Sequence, residues 1–464
     1  MKRVLVCAVL AAMTVLMISC DGTAGRGYRI ADGKIVFDEP KAAEGQEDML
    51  AFAAEPLPTV RMGFIGLGMR GADAVDRFTY IDGVDIKAVC DLHAERVEAS
   101  QQGLLDRGFP AAAGYSGEEG WRELCERDDI DLVYICTPWE HHVPMAVYAM
   151  EHGKHVAVEV PAATSVAECW QLVDTSERTR RHCMMLENCI YDFFELTALN
   201  MAQQGLFGEI VHVEGAYIHN LDPFWELYDG NWRLEFNRTH RGDVYATHGF
   251  GPDCQVLNIH RGDKLDYLVA MDTESVAGAA TAKRVMNADK LANGDQTTTL
   301  IRTARGKTVL LQHNVCTYRP YDRMYQIVGT DGFAQKYPTP GLSLREDKIS
   351  GDEADYQNLE SHSFVPGTVF GELMERYKHP ILRENEAMAL KVGGHGGMDY
   401  IMDYRLIYCL RHGLPLDQDV YDAAEWSCIG ELTAASIENG SMPVAVPDFT
   451  RGRWQKLDGL KFAE

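Results

Sequence analysis

Val60-Arg61-Met62-Gly63-Phe64-Ile65 followed by Gly66-Leu67-Gly68-Met69-Arg70-Gly71 is the stretch on which the reading of this chain turns. A short apolar strand runs into G-x-G-x-x-G, and an amphipathic helix pattern follows to about Phe78. Glycines in that order let a backbone approach a pyrophosphate, and the positive end of the following helix favours its charge. Val84 to Cys90 forms a second apolar run, closed by Asp91 20 residues after Gly71. A carboxylate there accepts hydrogen bonds from an adenosine ribose and repels a 2′-phosphate, which points to NAD over NADP.

Working outward, Leu132 to Cys136, His155 to Val158 and Met184 to Leu186 read as further buried strands, with helical patterns over 94–107, 142–152 and 165–180 between them. Strands alternating with helices predict an α/β, doubly wound parallel sheet, a Rossmann domain over residues 58–187. Ligands bind beyond the carboxyl ends of such strands. Trp139-Glu140-His141-His142 and Glu159-Val160 therefore become candidates for cofactor contact. Past about residue 190, Ile210 to Tyr217 alternates, and Thr297–Arg302 and Thr308–His313 flank Ala304-Arg305-Gly306 as a hairpin does. Tyr325 to Gly329 adds a further strand. These predict a C-terminal α+β domain over 188–464 with an open, mostly antiparallel sheet.

At the other end, Lys2-Arg3, the apolar run Val4 to Ile18 and Ser19-Cys20 describe a signal peptide over residues 1–20. Cys20 sits where a bacterial lipoprotein carries its lipid, although Met17 stands where Leu is usual. The expectation is an exported, periplasmic or outer-membrane-associated protein that meets the membrane only through that lipid. Residues 21–57, rich in Gly, Ala, Asp, Glu and Pro, read as a linker with one small hairpin around Asp32-Gly33. A formal net charge of -25 argues against nucleic-acid or anionic-membrane binding. Cys7 and Cys20 aside, the remaining ten of the 12 cysteines show no C-x-x-C pair and no zinc-like spacing, so buried free thiols and no metal are expected.

Together these residues resemble the glucose–fructose oxidoreductase/inositol dehydrogenase superfamily, which usually carries Glu-Lys-Pro after the fifth strand with the Lys in catalysis. Here Val160 occupies the Lys position, which counts against ordinary alcohol dehydrogenation. A narrower resemblance, to glycoside hydrolase family 109, rests on several segments. They are Trp139–His142, Glu159-Val160-Pro161, Glu187-Asn188, Asn231-Trp232-Arg233, Tyr245-Ala246-Thr247-His248-Gly249 and Gly394-His395-Gly396-Gly397-Met398-Asp399-Tyr400. Family members often have Pro where Ala246 stands and Leu where Phe250 stands, which leaves substrate choice open. The resemblance implies an NAD-dependent α-N-acetylgalactosaminidase acting on a glycoside with terminal N-acetylgalactosamine or a related sugar, and leaves a homo-oligomer open. It places NAD on Met69, Arg70, Asp91, Trp139, Glu140, His141, His142, Glu159, Val160 and Asn188. It places the sugar on Tyr217, Arg233, Tyr245, Ala246, Thr247, His248 and Tyr321.

NAD-dependent glycosidases stand apart from the usual pair of carboxylates. By the resemblance, oxidation at sugar C3 acidifies the C2 proton, elimination expels the C1 substituent, water adds back, and C3 is re-reduced. Such a site needs bases for the C3 hydroxyl and the C2 proton and an acid for the leaving oxygen. Histidine's ordinary pKa of ~6.5 suits proton shuttling, whereas tyrosine needs a neighbouring cation or the cofactor's positive ring to act as a base. Tyr245 and His248 are the expected catalytic pair, with the C2 proton assigned to neither. His219, His395 and Glu187 are further candidates, Glu187 having a strand-end cap as its plainer role. Two other readings remain at this point: a sugar dehydrogenase with net turnover of NAD, and a non-catalytic sugar-binding lipoprotein.

Overall fold

Burial on both faces, which the apolar runs demand, organises the first half of the chain. The protein is described by a computed structural model covering residues 27–349 and 362–462, so the expected lipid site Cys20 lies outside the described residues. Strands are numbered in chain order. Seven precede residue 160: β1 (Tyr28–Ala31), β2 (Lys34–Phe37), β3 (Val60–Ile65), β4 (Val84–Asp91), β5 (Ala113–Ser116), β6 (Leu132–Ile135) and β7 (His155–Val158). β8 (Cys183–Met185) follows, and β3 to β8 form a six-stranded sheet in the order β5-β4-β3-β6-β7-β8. Every pairing in it is parallel. β6 and β7 are buried throughout, as strands covered on both faces must be.

The second sheet has ten strands. β9 (Ile210–Ile218), β10 (Leu265–Asp272), β11 (Thr297–Thr303), β12 (Thr308–Asn314) and β13 (Asp322–Gly329) make its centre. β14 (Gly332–Gln335), β15 (Gly341–Leu344) and β16 (Val444–Ala445) complete it, in the order β1-β2-β16-β10-β11-β12-β9-β13-β14-β15. Its pairings are antiparallel except β12 with β9 and β16 with β2. The helix Val420–Glu438 lies between the two sheets, touching β8 and the helix Val166–Thr179 on one side and β10 on the other.

The segment read as a linker is instead built into this body from residue 27 onward. The hairpin around Asp32-Gly33 forms, but β2 pairs with β16 and Ile35 N donates to Pro443 O at 2.8 Å. Met49 N donates to the Tyr421 hydroxyl at 2.9 Å, and Leu57 N to Leu410 O at 3.0 Å. The polar composition hid this because the hairpin contributes only a few core side chains, Ile35 and Phe37 among them. β5 was also missed in the sequence, since Ala113-Gly114-Tyr115-Ser116 carries no apolar run.

Ile35→Ala tests whether the hairpin belongs to the fold: truncating a side chain that is 0% exposed should cost about 2–5 kcal/mol. A urea midpoint equal to that of the unaltered protein would show that 27–37 is a tether after all.

Candidate active site

Two close approaches of backbone position the site. The first is the glycine turn after β3. A Cβ on Gly71 would lie 1.7 Å from Gly66 O, whereas one on Gly68 would meet nothing nearer than Arg96 Nη1 at 3.8 Å. The third glycine thus lets the helix Met69–Phe78 press on the turn, while the second leaves an open face. That helix has no acidic residue in its first turn and no side-chain cap, so its positive end is uncompensated. Both Asp91 oxygens accept from the adjoining backbone, Oδ2 from Leu67 N at 2.6 Å and Oδ1 from His93 N at 2.9 Å. The turn, the free helix end and the fixed carboxylate fit a dinucleotide as the spacing predicted.

The second close approach places the sugar-side groups. A Cβ on Gly249 would lie 2.2 Å from Ala216 N, so the helix Thr247–Leu257 rests directly on β9. This brings Tyr245 and His248 against Tyr217, near the end of β9. Ring centroids of Tyr217 and Tyr245 are 4.5 Å apart, and Tyr245 and His248 meet edge-on at 5.0 Å.

Glu187, two residues beyond β8, completes the group. Its carboxylate is 0% exposed and faces His248 Nδ1 at 2.8 Å (Oε1) and 2.9 Å (Oε2). Cys189 N donates to Oε1 at 3.0 Å. Burial pushes the Glu187 carboxyl up, but His248 and the hydrogen bonds outweigh it and hold the group below its ordinary range. His248 Nε2, left over, lies 3.4 Å from the Tyr245 hydroxyl. Burial raises the Tyr245 phenol well above its usual value in spite of the Arg233 charge, so Tyr245 is a proton-bearing phenol. Donors of Glu187, Cys189 and His248 lie within 4.8 Å of one another, but Arg323 Nη1 sits 2.8 Å from Cys189 Sγ and opposes a cation there.

Arg233 is buried among rings. Its Cζ lies 4.3 Å from the Tyr245 centroid and 5.2 Å from those of Trp139 and Tyr228. Nη1 donates to the Tyr228 hydroxyl at 2.6 Å and Nη2 to the Tyr217 hydroxyl at 3.3 Å. Among the described residues no carboxylate pairs with it. Trp139 stacks on Tyr245 at 5.5 Å, joining the parallel-sheet half to this cluster. Ala246 and Thr247 are buried beside it, and Tyr321 is half-exposed at the rim, 5.1 Å from His219.

On the cofactor side, Arg70 Nε donates to Glu159 Oε1 at 2.8 Å and Nη1 to Asp399 Oδ2 at 2.9 Å. Asn188 Nδ2 donates to Asp399 Oδ1 at 2.5 Å, and His395 Nδ1 faces Oδ2 at 2.9 Å. Burial would raise the Asp399 carboxyl, but Arg70 and His395 hold it well below its usual range. Glu140 and His141 are exposed, Met69 is half-exposed, and Val160 is buried. His142 departs from the expectation of cofactor contact. It is 0% exposed, with Nδ1 2.8 Å from Pro161 O and Nε2 2.8 Å from Thr137 O, so neither ring nitrogen is left for a ligand. It braces the two strand-end loops instead.

Comparison with known proteins agrees with both halves. A family model described as glycosyl hydrolase 109, C-terminal domain, matches residues 191–456, and one described as oxidoreductase family, NAD-binding Rossmann fold, matches 60–187. Glycosyl hydrolase family 109 protein 1 of Bacteroides fragilis is 60% identical over 428 residues, 91% of this chain and 92% of that one. The family 109 protein of Porphyromonas gingivalis is 61% identical over 434 residues, 92% of each. Among solved structures, the WlbA dehydrogenase from Bordetella pertussis, in complex with NADH and UDP-GlcNAcA, shares the fold. Its TM-score is 0.60 at 15% identity, covering 85% of this chain and 100% of that one.

The Glu187 carboxyl, held below its ordinary 4.5, contributes stability that is complete above that pH and is lost as the pH falls through its lower folded value. Glu187→Gln should therefore lower stability at pH 7 by about 1–3 kcal/mol and flatten the acid limb of the Tm–pH curve. An unchanged acid limb would show that the carboxylate is not held by His248.

Proposed function

The chain belongs to glycosyl hydrolase family 109 and is an NAD-dependent glycosidase, and from that premise we propose that it is an α-N-acetylgalactosaminidase. It cleaves by oxidation at sugar C3, elimination across C1–C2, addition of water and re-reduction, with NAD recycled. The observation that carries this reading is the file Glu187–His248–Tyr245 at the junction of the two sheets. Bound NAD supplies the hydride acceptor and, later in the cycle, the donor.

The chain's own groups supply the rest. Gly66, Gly68, Gly71 and Asp91 hold the dinucleotide, with Met69, Arg70, Glu159 and Asn188 lining the same cleft. Glu187 accepts the His248 Nδ1 proton, which fixes the tautomer and leaves Nε2 as the base. His248 Nε2 and the Tyr245 hydroxyl, 3.4 Å apart, carry as a pair the proton transfers at the C3 hydroxyl, at C2 and at the leaving oxygen, and the protons taken on oxidation and elimination are returned on hydration and re-reduction. Arg233, a buried cation without a carboxylate partner among the described residues, offers its remaining N–H groups to hydroxyl or acetamido oxygens, beside the Tyr217 hydroxyl, whose own hydrogen faces His219 Nδ1 2.9 Å away. Val160, buried where related dehydrogenases carry a lysine, supports the glycosidase over a net dehydrogenase. Export as a lipoprotein is part of the proposal, supported by Lys2-Arg3, the apolar run to Ile18 and Cys20.

The test is p-nitrophenol release from p-nitrophenyl α-N-acetylgalactosaminide in D₂O with no NAD added, reading deuterium at C2 of the product. Release with C2 exchange is expected, with kcat about 10²–10⁴-fold lower in His248→Ala. No release, with NADH accumulating from free sugar and added NAD, would make the protein a dehydrogenase.

A further inference from the structure

On its open face the glycine turn is approached by one long side chain. Arg96, on the helix Ala94–Asp106, has Nη1 3.7 Å from Asp91 Oδ1, and a Cβ on Gly68 would lie 3.8 Å from the same nitrogen. Its guanidinium thus stands beside both groups that hold the dinucleotide, the turn and the ribose carboxylate. Nη2 is taken by Asp229 Oδ2 at 2.5 Å, and His93 Nε2 lies 4.0 Å from that oxygen. Asp229 comes from the other half of the chain, in the segment that leads from β9 into the helix Trp232–Thr239.

That segment touches the parallel-sheet half at two points. Asp229 meets Arg96 and His93, which follow β4, and Trp232 meets Trp139, which follows β6, edge-on at 5.3 Å. In the sheet β3 runs between β4 and β6, so the glycine turn at its end lies between the two contacts. The segment therefore crosses the turn as a strap. Its start is tied to the second half, where Asp222 pairs with Arg284 and accepts from Thr281 Oγ1 at 3.2 Å. Just past Asp229, Gly230 (φ 61°) and Asn231 (φ 55°) are both left-handed and turn the chain into the helix. Asp229 itself is exposed, with Arg96 half-buried beneath it. A pair at that depth is weak enough to open for loading and strong enough to slow escape.

We propose that Asp229 is a positioning residue that latches the strap over the cofactor cleft through Arg96 and so retains the dinucleotide through the catalytic cycle. The inference rests on the proposed cycle, in which the hydride taken from C3 returns to C3: a cofactor lost midway would leave the sugar oxidised.

The test follows NADH bound to the loaded protein, whose fluorescence changes as excess NAD displaces it. Asp229→Ala should raise the dissociation rate about three- to fivefold, the ratio that one partly exposed ion pair supports. In the same loaded variant, hydrogen exchange should quicken over 224–231 and stay unchanged over the parallel sheet. Glu226→Ala removes an equal charge from the exposed side of the strap and should leave the dissociation rate within about twofold. A rate unchanged or slowed in Asp229→Ala, strap amides that exchange no faster, or equal acceleration in Glu226→Ala would each overturn the latch. Neither readout uses a glycoside, so a protein that released no p-nitrophenol would lose the glycosidase reading and still show whether the strap retains its cofactor.

Discussion

A carboxylate with no exposure to water has to find a partner, and among the described residues the ionisable side chain that Glu187 pairs with is His248. An unpaired charge at that depth costs several kcal/mol, so the pairing dictates how the end of the parallel sheet meets the helix Thr247–Leu257. Because that helix lies directly on β9, fixing His248 also fixes Tyr217 and Tyr245. Catalytic geometry and domain docking are in this sense one constraint. The imidazole is oriented from the parallel-sheet half, while the rest of its surroundings come from the second sheet.

Asp399 plays the corresponding part at the cofactor cleft. It stands at the start of the helix Met398–His412, far along the chain from the glycine turn, yet it receives Arg70, Asn188 and His395 together. One helix after the turn, Arg77 Nε donates to Asp403 Oδ2 at 2.9 Å, and Tyr134 donates to the other oxygen at 2.9 Å. Side chains assigned to the cofactor by resemblance are therefore held by a segment outside the parallel sheet. A chain cut after residue 187 would keep the glycines and Arg70 but lose Asn188 itself and the Asp399 carboxylate that both side chains bond.

How much of this was legible in the sequence depended on whether the signal was local. β3 and β7 were read to the residue, and the hairpin of β11 and β12 nearly so, because apolar runs and turn residues carry that information. The glycine turn and Asp91 were legible for the same reason. Glu187 was visible only as a strand-end acid, since its partner lies 61 positions away. Asp399 entered only within a family segment, and nothing about Asp399 alone marks a hub for three other segments. His142 looked like a ligand because a histidine after a strand end often is one; two carbonyls facing its ring are invisible in sequence. The β1–β2 hairpin was misjudged because polar composition describes its exposed face, not the edge it occupies.

The cysteines carry a consequence of a different kind. Ten are free among the described residues, and nine of those are buried, with only Cys136 partly accessible. Burial also raises thiols such as Cys90 and Cys125 to about 12, far from the reactive thiolate. The folded protein is thus nearly silent towards thiol reagents, and each buried sulfur becomes addressable only when its surroundings open. Since these residues are spread from β4 to the helix Val420–Glu438, the order in which they react would report which parts of the molecule come apart first.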